Sequence, residues 1–169
     1  VFIVVELRAQ DPIMPLSIYR IRVVSLALFA TLCTGFGMFG SIVFIPLYFQ
    51  GVLGASATSS GSFLTPMMLG MVVGSGISGQ LLSRLGGHYR TQGLIGLAIM
   101  GTGLLFVSRM TEQTGFGEAV FNIVVMGFGL GTTFPTFTVA VQNAVPHSLL
   151  GAATSAAQFY RSVGGALGL

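Results

Sequence analysis

Apolar residues in this chain neither alternate nor recur on one helical face; they run on without interruption. From Val23 to Phe49 no charged residue occurs, and only Gly35, Gly37, Gly40 and a late Pro46 break the run. About 20 apolar residues at roughly 1.5 Å rise each cross the hydrocarbon of a bilayer, so residues 23–49 predict one membrane span. The same pattern returns over 62–82, 92–108, 119–144 and 149–169, the last reading as a span that can be cut short. Strands of a membrane barrel would be about 10 residues long with alternating polarity. The fold class predicted is therefore all-α, a polytopic helical membrane bundle.

The intervening stretches carry turn chemistry. Residues 1–22 read as the tail of a preceding span, Val1 to Val5, followed by a connector holding Asp11-Pro12 and Pro15; a chain opening on Val rather than Met reads as part of a longer one. Gln50 to Ser60 is an uncharged Gly/Ala/Ser/Thr loop, 83–91 a basic turn, 109–118 a polar loop, and 145–148 a turn around Pro146 and His147.

Composition strengthens the membrane reading. Charged residues are 7% of the chain and hydrophobic ones 53%, with 25 glycines besides; a soluble domain carries about a quarter charged residues. All seven basic residues are arginines. Arg8, Arg20, Arg22, Arg84 and Arg90 fall in alternate connectors, whereas the others hold only Arg109 with Glu112 and Glu118. Short cytoplasmic loops are enriched in Lys and Arg, so 1–22, 83–91 and 145–148 are predicted cytoplasmic and 109–118 external. Arginines this few and scattered form no nucleic-acid stripe.

Several chemistries are excluded at the same stage. Cys33 is the only cysteine, and His88 and His147 lack ligating companions at metal spacing, so no metal site is expected. Gly127-x-Gly129-x-Gly131 sits inside an apolar run without the strand–turn–helix setting or downstream acid of a dinucleotide site. No nucleophile elbow or phosphate loop occurs. Neither catalysis nor a cofactor is expected.

Within the spans, small residues recur every fourth position, the spacing at which helix backbones approach closely in lipid. Gly70, Gly74 and Ser78 form one such row, Ser75 and Gly79 continue beside it, and Gly127 and Gly131 form another. These rows allow tight packing, bending, or both. Flexible Met and aromatic side chains accommodate varied apolar shapes. Phe36, Met38, Phe39, Tyr48 and Met67 are candidates for a substrate cavity, together with Met71, Phe134, Phe137 and Gln142; helix packing or lipid contact is the commoner duty of such residues. Arg161 is the one ionisable residue falling within a span, where insertion costs about 2.5–3.5 kcal/mol at the centre. A shallow placement at the inner interface is favoured, with snorkelling or a carboxylate or carbonyl partner on a neighbouring helix as its two roles.

The loops carry a set of phrases in a recognisable order: Asp11 to Leu16, Pro46 to Gln50, Val52-Leu53-Gly54, Ser59 to Pro66, Gly127 to Gly131 with Pro135, Val141 to Pro146, and Gly151 to Thr154 ahead of Arg161 and Gly164-Gly165. In these the chain resembles the fourteen-span drug:proton antiporter branch of the major facilitator superfamily, over nearly its whole length. The resemblance implies that these are the ninth to thirteenth spans of a fourteen-span protein of the cytoplasmic membrane. It implies proton-coupled export of lipophilic compounds, with protons, bilayer and a missing N-terminal half as partners. The family's cytoplasmic loop signature has a degraded copy at Gly79, Arg84, Gly86 and Arg90, where Ser83 replaces the aspartate. That replacement weakens a gating role and leaves Arg84 and Arg90 mainly as topology anchors. No Asp or Glu falls inside a span after Val23, so the proton-carrying carboxylate is expected in the N-terminal half. The alternatives are a metabolite transporter of the same superfamily and a non-transporting membrane scaffold or receptor.

Overall fold

A computed structural model of the chain describes residues 16–51, 54, 56, 61–84, 88–111 and 113–169. Five long helices carry the architecture: α1 Arg22–Gly51, α2 Leu64–Arg84, α3 Tyr89–Ser108, α4 Phe116–Asn143 and α5 Leu150–Leu167. Short 3-10 turns, Leu16–Arg20 and His147–Leu149, lead into α1 and α5. No strand occurs among the described residues. The backbone bonds itself within each helix because lipid offers no water to satisfy free N–H and C=O groups.

Each helix overlaps one apolar run of the sequence, with ends displaced by a few residues. Three helices, α1, α3 and α4, are long and apolar enough by themselves to cross a membrane. The other two, α2 and α5, are diluted by Gly, Ser and Ala. Pro46 and Pro135 lie inside α1 and α4 without ending them. Residues 1–15 of the first predicted segment, 1–22, and most of the loop predicted over 50–60 fall outside the described residues.

The bundle is organised around α4. Of its most apolar stretch 61% is buried, against 33% for α1 and 22% for α3, and it packs along α2 and α3 and also meets α1 and α5. Glycine sets how closely. A Cβ at Gly70 would lie 2.6 Å from the Val124 carbonyl oxygen, and one at Gly74 would strike the Phe128 carbonyl. In return, Cβ atoms at Gly127 and Gly131 would strike the carbonyls of Met67 and Met71. Both glycine rows named from the sequence thus meet at one crossing, and the rising register on both helices makes α2 and α4 parallel.

A second crossing repeats this design. On α1 and α5, a Cβ at Gly164 would meet the Leu32 carbonyl, one at Gly168 the Phe36 carbonyl, and one at Gly35 the Arg161 carbonyl. These helices are parallel too. Backbone approach of this kind replaces the hydrophobic drive that is absent between helices in lipid.

The core falls into two layers. One contains Val24, Ala27, Leu28, Phe137, Ala140, Val141 and the alanines Ala153, Ala156 and Ala157. The other contains Ile45, Phe49, Met67, Met100, Ile123, Met126 and Leu130. Beyond the second layer, Phe49 stacks on Phe63 at 3.6 Å between centroids and Phe63 leans on Phe116 at 5.4 Å. At the opposite end Tyr19 meets Tyr160 at 6.1 Å. Burial, with Tyr160 contributing second, pushes the Tyr19 phenol above its ordinary pKa.

Candidate functional site

Alternating helix direction gathers the described arginines by end. Arg22 and Arg90 share the wall of one cleft where α1 and α3 begin, and Arg84 closes α2 at that same end. Arg109 follows α3 at the other end, where Glu118 occupies the first turn of α4. The lopsided distribution is thus a spatial polarity of the bundle.

The nine cavity candidates separate into four settings. Met67 and Phe137 belong to the core, at 0% and 8% exposure. The cause is glycine: Gly127 seats the Met67 backbone, and Phe137 packs 3.0 Å from where a Cβ of Gly93 would stand. Met38 packs against the outer core layer and Phe39 against Gly165. Phe36 and Tyr48 line a cleft of about 380 Å³ between α1 and α3. The Tyr48 hydroxyl also donates to the Thr111 carbonyl at 2.7 Å, tying α1 to the loop after α3.

Phe134 and Gln142 lie with Thr138 at four-residue spacing on one face of α4. Met71 sits beside this row, its carbonyl seated on Gly131. From the other side α5 closes on it. Gln142 Nε2 donates to Thr154 Oγ1 at 3.0 Å. One turn above Thr138, the Arg161 guanidinium lies over the Phe134 ring, 4.2 Å from its centroid. Arg161 Nη1 donates to Gln158 Oε1 at 3.0 Å, while its buried Nε has no acceptor. Phe134, Gln142, Thr154, Gln158 and Arg161 therefore form a polar and aromatic seam along α4 and α5.

Arg161 is set against α1 as well as α4. Its carbonyl packs on Gly35, near the middle of α1. The length of α5 by itself does not reveal this contact, because it depends on how α5 is set against α1.

A polar knot went unrecognised in the sequence. Ser78 Oγ donates to the Thr132 carbonyl at 2.9 Å and lies 3.0 Å from Thr136 Oγ1. Gln92 Nε2 donates to Ser78 Oγ at 2.7 Å and to the Ser78 carbonyl at 2.8 Å. It joins α2, α3 and α4 near the arginine-rich end. The available signal was the i, i+4 repeat Thr132/Thr136 opposite the row ending in Ser78. Of the loop signature, Gly79 has open space around it and Arg84 and Arg90 are exposed. Ser83 Oγ turns back to the Gln80 carbonyl at 2.8 Å, and Gly86 lies outside the described residues. Among the described residues no cluster of His, Cys, Asp and Glu could hold a metal.

The sequence family described as the Major Facilitator Superfamily matches residues 5–169. The chain belongs to that superfamily. As one of its members it is an integral, multi-pass membrane protein. It is 35% identical over 168 residues to the multidrug transporter protein MdtP of Bacillus subtilis, covering 99% of this chain and 31% of that protein. It is 32% identical over 170 residues to a tetracycline resistance determinant of Streptomyces rimosus, covering 100% of this chain and 49% of that protein. To a tetracenomycin C resistance and export protein of Streptomyces glaucescens it is 30% identical over 163 residues, 96% of this chain and 30% of that protein. The chain thus spans between about a third and a half of these relatives' lengths.

Proposed function

We propose that the intact protein is a secondary transporter of the fourteen-span branch that exports drugs or other lipophilic small molecules from the cytoplasm in exchange for protons. The observation that carries this reading is the match of nearly the whole chain to relatives named for multidrug transport, tetracycline resistance and tetracenomycin export. The protein is then a carrier and not an enzyme, and its place is the cytoplasmic membrane. The arginine-rich end of the bundle faces the cytoplasm. The α4–α5 seam, with its ring, amides and guanidinium, supplies one wall of the substrate path, and the rest of the protein supplies the facing wall. Paired glycine crossings suit rigid rocking of this unit, since each crossing moves as a body.

Proton exchange requires a group that titrates within the membrane, where desolvation raises a carboxylate's pKa toward neutrality. Of the four acidic residues in the chain, Glu6, Asp11 and Glu112 lie in predicted connectors and Glu118 in the first turn of α4. The proton carrier therefore belongs to the part of the protein outside this chain. Expression of the intact protein in cells stripped of their own pumps tests both points. Lowered ethidium accumulation, abolished by an uncoupler and kept when all four residues become amides, is the expected result. Unchanged accumulation of ethidium and other lipophilic dyes would refute export. Loss of coupling from a single amide, with dye binding kept, would refute the division of labour.

A further inference from the structure

We propose that Arg161 is an oxyanion-binding residue whose acceptor, a carboxylate or equivalent acidic group, comes from outside the five helices described. Placement in a substrate path rests on the export reading; the need for an acceptor does not.

A guanidinium offers five N–H donors, all in its own plane. Its carbon Cζ lies over the Phe134 ring, 4.2 Å from the centroid, a cation–π contact that supplies no hydrogen-bond acceptor oxygen. One donor, Nη1, is used on the neutral amide oxygen of Gln158, and Nε is buried without an acceptor. The edge of the fork remains unmatched by any charge. Among the described residues Arg161 forms no ion pair. From α4 it meets the Phe134 ring, from α5 Gln158, and its carbonyl meets the backbone of Gly35 on α1; none of these is acidic. Glu118, the acidic residue of the described helices, lies 16 residues from Phe134 along α4, about 24 Å at the helical rise.

A half-buried cation set beside an aromatic ring, with its Nε buried and unneutralised, calls for a counter-charge. The planar fork fits a two-oxygen acceptor, which it binds through paired N–H bonds more strongly than a carbonyl. Two sources supply such a group: a side-chain carboxylate elsewhere in the intact protein, or the acidic group of a transported compound.

The experiment uses the intact protein carrying Arg161→Gln or Arg161→Lys. It reads the melting temperature of the purified protein and cellular accumulation of carboxyfluorescein, which is anionic, and N-phenyl-1-naphthylamine, which is neutral. Arg161→Gln should lose about tenfold or more in export, the loss of one charge-assisted contact, with Arg161→Lys intermediate. Loss confined to carboxyfluorescein, at an unchanged melting temperature, assigns the oxyanion to the compound. Loss of both dyes with a lowered melting temperature, restored when one intramembrane Asp or Glu outside this chain is also neutralised, assigns it to the protein. The melting series decides by itself should neither dye be a substrate. Arg161→Gln indistinguishable from the parent in every readout would overturn the proposal. So would equal damage from Gln and Lys that no second neutralisation relieves.

Discussion

Replacing Gly131 by alanine adds one methyl group at the tightest point of the α2–α4 crossing. The new Cβ would strike the Met71 carbonyl oxygen and stand 2.7 Å from the Met71 Cα. Ordinary contact begins at about 3.4–4 Å. The obstacle is backbone on a neighbouring helix, so no rotamer change relieves it; the helices must separate by roughly 1 Å, or α4 must shift along its axis. Over-packing of this kind costs about 1–3 kcal/mol. Separation also loosens Gly127 on Met67 and Gly70 on Val124, which share the crossing. The same substitution at Gly76, where a Cβ would meet nothing, gains helix propensity and should be neutral or stabilising by up to about 1 kcal/mol. The assay is unfolding of the purified intact protein in mixed detergent with increasing SDS. Gly131→Ala should fall below Gly76→Ala by about 1–4 kcal/mol in unfolding free energy, the sum of the two effects. A Gly127→Ala/Gly131→Ala double variant should lose less than the two single losses added, because the first substitution already parts the helices. Equal stability of Gly131→Ala and Gly76→Ala would refute the reasoning.

Ser78→Ala should destabilise the protein by about 1–3 kcal/mol, because it removes the bond to the Thr132 carbonyl and one of the two bonds from the Gln92 amide, which keeps only the residue-78 carbonyl; the same unfolding assay reads it, and an unchanged midpoint would show that the Ser78 hydroxyl contributes nothing. In a Cys33→Ala background, a cysteine at Gly87 should react with an impermeant maleimide only from the cytoplasm and one at Ser56 only from outside; the reverse pattern would overturn the orientation drawn from the arginines.

The neighbours Met67 and Met68 separate what the chain's order of residues determines from what the bundle adds. Both are equally apolar and sit in the same run, so both belong to a helix on sequence grounds; Met67 is 0% exposed and Met68 54%. In a soluble helix the buried side would be marked by a polar opposite face. Lipid is as apolar as the packed interior, so that contrast vanishes and the sequence does not say which side faces inward. The same holds for the glycines. Gly74 and Gly76 lie two residues apart; one bears on the Phe128 carbonyl and the other on open space. What the sequence determines by itself follows from local physics: five helices, since run length and backbone hydrogen bonding permit nothing else in hydrocarbon, and the uneven placement of arginine along their connectors. The tertiary structure alone decides which rows of small residues meet, that Phe137 is core, that Ser78 joins Gln92 and Thr132, and that Arg161 lies level with Gly35 over Phe134. Each of these depends on the register between helices distant in the chain, and van der Waals fit and a few hydrogen bonds set that register after the helices have formed.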